Sequence, residues 1–383
     1  MKLVFASNYY NHHQSALCEA LHKRIDSFTF VSTSEMRSER KALGYGSESE
    51  PPYLLKAHLS KAANEECLKR INDSDVVIIG AAPENMISSR KKRGKLTFRY
   101  TERPLRNGSE PLKYIPRFIR WHIRNPMTKP LYLLCASAYA AGDYARFGLY
   151  KNRAYKWGYF TETKLYDDLD GLFYKKNRLK ILWVARFLPL KHPDTVVEVA
   201  KHLKENGYEF DMDFIGAGEM EGVLRRMISD YHLEDCVHLL GTMKPMEVRE
   251  HMENAGIFLF TSDKREGWGA VLNEAMNSGC AVVASHAIGA VPYLIENEKN
   301  GLIYKSGDID MLCEKVRYLL EHPEKQEALG KRAYETITTL WNAEAAAERL
   351  LVLSEHILSG EKYPNIYKSG PCSRAEILSD HWM

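Results

Sequence analysis

The chain has 383 residues, of which 45% are hydrophobic and 27% charged. At about 150 residues per domain, that length sets an expectation of two domains. The ordinary apolar and charged shares exclude a disordered or fibrous chain. Lys and Arg number 53 and Asp and Glu 50, a formal charge of +3, which argues against a dedicated nucleic-acid binder but leaves room for a local basic patch.

The seven cysteines are scattered, odd in number and form no Cys-x-x-Cys. They read as free buried thiols in a reducing compartment rather than as a disulfide scaffold or a zinc site. The first residues, Met-Lys-Leu-Val-Phe-Ala-Ser, do not form a signal peptide. The longest apolar stretches, near Val76–Ala82 and Leu131–Ala141, fall far below the roughly 18 residues of a membrane span. The expectation is a cytoplasmic chain that does not cross a bilayer but is able to rest on one.

In chain order, Leu3–Ala6 reads as a strand and Ser15–Lys23 as the following helix. Val76–Ile79 is β-branched and apolar on both faces, as in a strand covered on both sides by helices. Leu131–Ala136 is a further strand. Strands then follow at Leu179–Ala185, Phe210–Ile215, Val237–Leu240, Ile257–Phe260 and Ala281–Ala284. They alternate with helices at Asp194–Glu205, Glu221–Tyr231, Pro245–Met252, Gly269–Ser278 and Met311–Leu320. Residues 323–358 read as helical, with a good helix-forming run at Ala343–Ala347. The tail after Gly360 is loop-like, with a short helix expected over Arg374–His381.

Strand–helix alternation with short loops predicts an α/β parallel sheet with right-handed crossovers. The alternation restarts near residue 179 after the polar stretch Thr161–Arg178. The expected organisation is a Rossmann-like domain over 1–165, a linker over 166–178, a second such domain over 179–360, and a tail over 361–383 that packs back on the first. In two facing doubly wound domains, ligands lie beyond the carboxyl ends of the strands, so the loops after strands are the positions to read.

The strongest motif is Arg265-Glu266-Gly267-Trp268-Gly269-Ala270-Val271-Leu272-Asn273-Glu274. A strand and a Thr-Ser-Asp loop lead into Glu-Gly-x-Gly, which opens a helix. Glycines let backbone approach a ligand closely, and a helix start suits an anionic group. Two glutamates alone also fit a loop acid and a helix-surface acid; the glycines and the strand context weigh against that reading.

This segment resembles the Glu-x7-Glu motif of family 4 glycosyltransferases, retaining nucleotide-sugar enzymes of GT-B fold. Leu182–Lys191 is similar to the family's strand–Gly-Arg–x4–Lys stretch, with Ala185 where glycine is common. Phe214–Glu219 resembles its Gly-x-Gly after the second strand. Leu240–Thr242, Asn277–Ala284, Asn300–Leu302 and Gly307-Asp308 match its later loops. The resemblance covers about residues 179–350. It implies a GT-B architecture, two doubly wound Rossmann-like domains facing across a cleft, the first for the acceptor and the second for the donor.

It also implies roles. Arg186 and Lys191 would bind the diphosphate and stabilise its growing charge, as two cations can do without a metal. Glu274 would hold ribose hydroxyls. Glu266 would contact the donor sugar and the positive charge developing at its anomeric carbon. Gly267, Trp268 and Gly269 would present backbone N–H groups, and Gly216, Gly218 and Met243 would complete the donor site. Transfer with retention, pictured as front-side attack with the leaving phosphate taking the acceptor proton, needs no protein nucleophile.

No metal or other cofactor is expected. Asp-x-Asp occurs at Asp168/Asp170, Asp211/Asp213 and Asp308/Asp310, but such pairs arise readily by chance, and Asp308 suits a helix N-cap. Gly216-Ala217-Gly218-Glu219-Met220-Glu221 lacks the third glycine of a dinucleotide fingerprint.

The loop after the first strand, Ser7–His13, carries Asn11, His12 and His13, candidates for acceptor or donor contact as well as for helix capping. Residues 88–130 hold 13 basic residues against two acids, Glu102 and Glu110, with aromatic and Ile residues interleaved. That stretch reads either as a solvated helical face or as a patch for anionic lipid or a lipid-diphosphate acceptor. Glu102 either pairs with Arg103 or Arg106 or orients the acceptor hydroxyl. Residues 134–160 resemble a stretch of bacterial polysaccharide-building members.

The functional expectation is a hexosyltransferase acting from a nucleoside diphosphate sugar, UDP foremost, on a sugar or lipid-linked glycan of a surface or capsular polysaccharide. The alternatives are an NAD-dependent oxidoreductase or nucleotide-sugar epimerase on paired Rossmann domains, and a non-catalytic glycan- or membrane-binding module.

Overall fold

A computed structural model describes residues 1–36, 50–108 and 114–383. The chain forms two compact units, one of Met1–Glu162 with Trp341–Trp382 and one of Thr163–Leu340.

In the first unit, strands β1 (Lys2–Ser7), β2 (Ser27–Ser32), β3 (Leu54–Lys56), β4 (Val76–Ile79), β5 (Thr97–Thr101), β6 (Leu131–Cys135) and β7 (Ala154–Lys156) pair in the order β3-β2-β1-β4-β5-β6-β7. Every pairing is parallel, in register Val4↔Val77 between β1 and β4 and Phe98↔Tyr132 between β5 and β6. Apolar side chains on both faces explain the burial: Val76–Ile79 is wholly enclosed. One face packs Val4, Ala6, Val31, Val77 and Ile79 against Cys67 and Ile71 of the helix Lys61–Asp73. Another cluster joins Leu131, Leu133 and Cys135 to Trp121, Tyr144 and Phe147. Helix His12–Arg24 begins at Asn11, whose Oδ1 accepts from His13 N–H at 3.0 Å.

The chain returns to this unit with helix Ala343–Leu358, started by Asn342, whose side chain accepts from Ala345 N–H at 2.8 Å. It packs on helix His12–Arg24, and Glu344 pairs with Arg24. The tail then lies along β7, the edge strand. Lys156 N–H donates to Ser373 O at 2.8 Å, Cys372 N–H to Lys156 O at 2.9 Å, and Ala375 N–H to Ala154 O at 3.0 Å. Residues 374–381, expected as a helix, are therefore not helical: the first of them supply the hydrogen bonds that β7 lacks on its outer side.

In the second unit, β8 (Asn177–Val184), β9 (Asp211–Ile215), β10 (Val237–Gly241), β11 (Ala255–Phe260), β12 (Ala281–Ser285) and β13 (Leu302–Tyr304) form a parallel sheet in the order β10-β9-β8-β11-β12-β13. Ile181, Trp183, Phe214, Ile257, Leu259 and Val283 pack with Val196, Val197 and Val316 of the flanking helices. The stretch 166–178, expected as a linker, contains helix Leu169–Lys175. Asp168 caps it through Gly171 N–H at 2.8 Å, and Leu172 and Phe173 are buried. The helical run expected over 323–358 is two helices, Pro323–Thr339 and Ala343–Leu358, one in each unit.

The strand order reverses between β8 and β11. A doubly wound fold opens a crevice at such a reversal, beyond the carboxyl ends of the strands.

Candidate functional site

In the second unit the loop after β8 carries Arg186 and Lys191, and the loop after β11 carries Glu266. At the reversal point Lys191 Nζ pairs with Glu266 Oε2, both side chains about 15% exposed. The two loops are tied further. Asp263 N–H donates to Leu190 O at 3.0 Å, and Thr261 Oγ1 donates to Lys191 O at 2.7 Å while accepting from the buried Trp183 Nε1 at 3.0 Å. His192, in left-handed backbone (φ 51°), places Nε2 at 3.3 Å from Asp263 Oδ2, and Arg265 chelates the same carboxylate. Burial works against ionisation of Asp263, but the hydrogen bonds from Arg265 hold its carboxyl below the usual range. Arg186 is exposed and makes no ion pair among the described residues.

The Gly216–Gly218 loop after β9 lies against the β8 loop. Phe187 N–H donates to Ala217 O at 2.9 Å and Met220 N–H to Phe187 O at 3.1 Å. Gly216 has φ +145°, and a Cβ there would overlap the Ala185 carbonyl oxygen; a Cβ at Gly218 would stand 2.5 Å from Phe187 O. These glycines bring two loop backbones together beside Arg186.

Other predicted donor residues sit differently. The Trp268 side chain is fully buried and donates from Nε1 to Asn273 Oδ1 at 2.9 Å. Its indole is therefore a packing element, and only its backbone remains to face a ligand. Gly267 and Gly269 flank it, Gly269 at φ +89°. Met243 is partly buried in the loop between β10 and helix Pro245–Asn254. Glu274 lies in helix Val271–Asn277. Burial pushes its carboxyl up to about 7, with Arg249 opposing. Arg249 also donates to Asn277 Oδ1 at 2.9 Å.

A carboxyl group with a raised native pKa holds its proton more tightly folded than unfolded. Native stability is then undiminished below the unfolded value and falls as pH climbs through about 7. Glu274→Gln, which cannot ionise, is expected to melt with wild type near pH 4 and above it at pH 8. The gain at pH 8 is on the order of 3 kcal/mol by linkage, read as a widening Tm gap across a pH series; equal gaps at both ends would remove this account.

Sequence reasoning missed His192, Asp263, Thr261 and Arg249. Asp263 stood in a loop already noted, and His192 directly follows Lys191; Arg249 is helical and carries no motif. The Asp-x-Asp pairs have structural partners. Lys180 bridges Asp211 and Asp213 at 2.6 and 2.9 Å, so an ammonium stands between the two carboxylates. His238 lies close enough for Asp211, Asp213 and His238 each to offer an atom within 4.8 Å of the others. Asp170 pairs with Lys331 at 2.9 Å, and Asp308 caps helix Ile309–Glu321 through Met311 N–H at 2.9 Å.

In the first unit the Asn11 side-chain oxygen makes the capping bond to His13 N–H. The His12 and His13 rings lie 3.8 Å apart, and His13 stacks on Tyr159 at 5.8 Å. Tyr159 OH donates to Glu102 Oε1 at 2.6 Å, and Arg106 Nη1 donates to Glu102 Oε2 at 2.8 Å. Tyr159 thus links two residues expected at the acceptor, His13 and Glu102, and Glu102 makes the expected pairing with Arg106. Burial and the neighbouring Tyr100 and Glu102 push the Tyr159 phenol well above its ordinary value, so it remains a donor.

Residues 170–336 match the family model described as glycosyl transferases group 1. The chain is similar to the amylovoran biosynthesis glycosyltransferase AmsK of Erwinia amylovora, 32% identical over 47% of this chain and 45% of the relative. It is also similar to the putative colanic acid biosynthesis glycosyltransferase WcaL of Escherichia coli K12, 30% identical over 46% of this chain and 44% of that one. The matched region thus spans just under half the length of these curated relatives. Among solved structures, Anabaena HepE in complex with UDP aligns at TM-score 0.66 and 13% identity over 94% of this chain and 99% of that one. An S. aureus TarM variant in complex with UDP and further ligands aligns at TM-score 0.65 and 13% identity over 92% and 100%. The two parallel-sheet units have the GT-B fold.

Proposed function

From the match of residues 170–336 to the family model described as glycosyl transferases group 1, we propose that the chain transfers a hexosyl group, with retention, from a UDP-sugar to a sugar or lipid-linked glycan hydroxyl in surface polysaccharide synthesis. The observation that carries this reading is the Lys191–Glu266 pair at the reversal between β8 and β11, beside the exposed Arg186. An arriving diphosphate exchanges for Glu266 as the partner of Lys191, and Glu266 is released toward the sugar. The bond from the anomeric carbon to the diphosphate oxygen breaks with its electron pair going to the diphosphate. Arg186 and Lys191 stabilise that charge. The acceptor oxygen bonds the anomeric carbon from the same face, its proton passing to the leaving phosphate oxygen. With two cations in place, no step is assigned to a metal. Glu274 accepts hydrogen bonds from ribose hydroxyls, so Glu274→Gln weakens UDP binding as well as changing the pH profile.

The UDP complexes of the GT-B neighbours support the choice of base, and the amylovoran and colanic acid biosynthesis relatives support the pathway. His13, Tyr159 and Glu102 are assigned to the acceptor. No helix of the described residues is long and apolar enough to cross a membrane. The helix Tyr114–Arg124 within the basic stretch supports contact with an anionic membrane face.

The test is thermal stabilisation by UDP, GDP, ADP and NAD, each with and without EDTA. UDP at 100 times its dissociation constant is expected to add roughly 2.7 kcal/mol and to do so in EDTA. A shift with NAD alone would replace this reading by the oxidoreductase one.

A further inference from the structure

The first unit contains a pocket of about 210 Å³ that the transfer chemistry above does not use. It opens where β4 and β5 end, lined by Gly80 and Thr101 and, from the adjoining helices, by Trp121, Arg124 and Tyr144, with Arg99 at its wall. Its electrostatics are one-sided. Arg99, Arg124 and Lys91 all pair with one carboxylate, Glu84, at 3.0, 3.3 and 2.7 Å. Among the described residues no other carboxylate lies within ion-pair distance of the three, so two positive charges stay uncompensated. Against its burial, Arg99 and Lys91 hold Glu84 below the usual carboxylate range.

Arg99 is pre-oriented. Its Nε donates to Asn125 Oδ1 at 2.7 Å and to Tyr150 OH at 3.3 Å, and Nη2 grips both oxygens of Glu84 at 3.0 Å. Arg124 meets Glu84 only through Nε and Nη2 at 3.4 and 3.3 Å, with its side chain 43% exposed. Arg99, its Nε and Nη2 already engaged, fixes positive charge at the wall; the half-exposed Arg124 is left to grip a tetrahedral oxyanion through paired N–H donors, the two guanidiniums carrying one positive charge more than Glu84 balances.

A second observation concerns the same helix, Tyr114–Arg124. Its inner face brings Trp121 and Arg124 to the pocket. On its outer face Ile115, Phe118, Ile119 and Ile123 are 70%, 40%, 53% and 72% exposed. Their spacing makes one apolar stripe. The exposed Lys92, Arg93 and Arg120, which join no ion pair among the described residues, add positive charge nearby, and Lys129 Nζ reaches Lys92 O at 3.5 Å. An apolar stripe with basic residues lies at a lipid surface, and a cationic recess on the inner side of the same helix meets the headgroup level.

We propose that this pocket takes a phosphate or diphosphate group borne by the acceptor, an inference that rests on the transferase reading and names its acceptor chemistry. The apolar stripe favours a lipid-linked source over a water-soluble one.

The full chain is saturated with UDP, so that the donor site is filled, and titrated with farnesyl diphosphate, farnesol and inorganic diphosphate. Farnesyl diphosphate is expected to bind, with farnesol and the Arg124→Gln variant each weaker by roughly tenfold or more and UDP affinity unchanged in that variant. Ile119→Ser is expected to weaken farnesyl diphosphate but not inorganic diphosphate. Equal binding of the two diphosphates, both dependent on Arg124 and indifferent to Ile119, would overturn the lipid source. Diphosphate binding indifferent to Arg124→Gln in a variant that melts like wild type, or no binding at all, would overturn the pocket. Failure of UDP itself to bind would strike the transferase reading instead, and the same titration without UDP, in an Arg186→Ala background, still reads the Arg124 dependence.

Discussion

Arg186→Ala is expected to lower kcat for sugar transfer by roughly two to three orders of magnitude while leaving the affinity for the bare nucleoside nearly intact. The side chain is exposed and takes part in no ion pair among the described residues, so its removal costs the fold little. Charge on the diphosphate grows only as the glycosidic bond breaks, and a cation aimed there acts more strongly in the transition state than in the ground state. Lys191 is a different case, because Glu266 already neutralises it. Lys191→Ala strands a partly buried carboxylate and therefore mixes a stability loss with the catalytic one. Steady-state kinetics with uridine and UDP as competing ligands separate the cases. A loss for Arg186→Ala that fell equally on nucleoside binding and on kcat would end the leaving-group role proposed for it.

Gly216→Ala is expected to be the most damaging small substitution in the second unit. Its φ of +145° lies where only glycine is at ease, and the added methyl would be driven into the Ala185 carbonyl. Nor can the loop move away cheaply. Gly216 N–H donates to Gly241 O at 2.7 Å, and Ala185 N–H to Ile215 O at 3.2 Å, so β8, β9 and β10 are all fastened at this point. A loss of roughly 3 kcal/mol should lower Tm by about 6–12 °C for a unit of this size. Gly222→Ala is the control: nothing lies within 4 Å of its added Cβ, in helix Glu221–Asp230. The helix gain of alanine over glycine should leave it equal to or above wild type. Two similar melts would show that the loop yields.

The second unit was largely readable in the sequence because its strands are continuous apolar runs. Ala255–Phe260 and Ala281–Ser285 are buried at every residue, and the motif residues sit in the loops that leave such strands. β5 was not readable: Thr-Phe-Arg-Tyr-Thr contains an arginine whose burial is tolerated only because Asn125, Tyr150 and Glu84 receive its donors. Nor was the three-residue β7, which gives no pattern to count. Within the site, the family resemblance named Glu266 and Lys191 but could not say that they meet, nor that the Trp268 indole turns inward to Asn273. Those outcomes depend on packing against distant residues. The Asn11 side chain illustrates the opposite limit. A loop residue suited to a ligand is equally suited to a helix start, and Asn11 caps its helix.

Synthesis proceeds from the amino terminus, and the two units do not finish in the order in which they start. Thr163–Leu340 is one uninterrupted stretch and has every strand it needs once Leu340 has left the ribosome. The unit begun at Met1 must wait for Trp341–Trp382, at about 5–20 residues per second. Until then the outer side of β7 has no partner and helix His12–Arg24 has no cover from Ala343–Leu358. Of these two units the one begun earlier is thus the later to mature, and its open strand edge is where a nascent chain would pair wrongly with a neighbour.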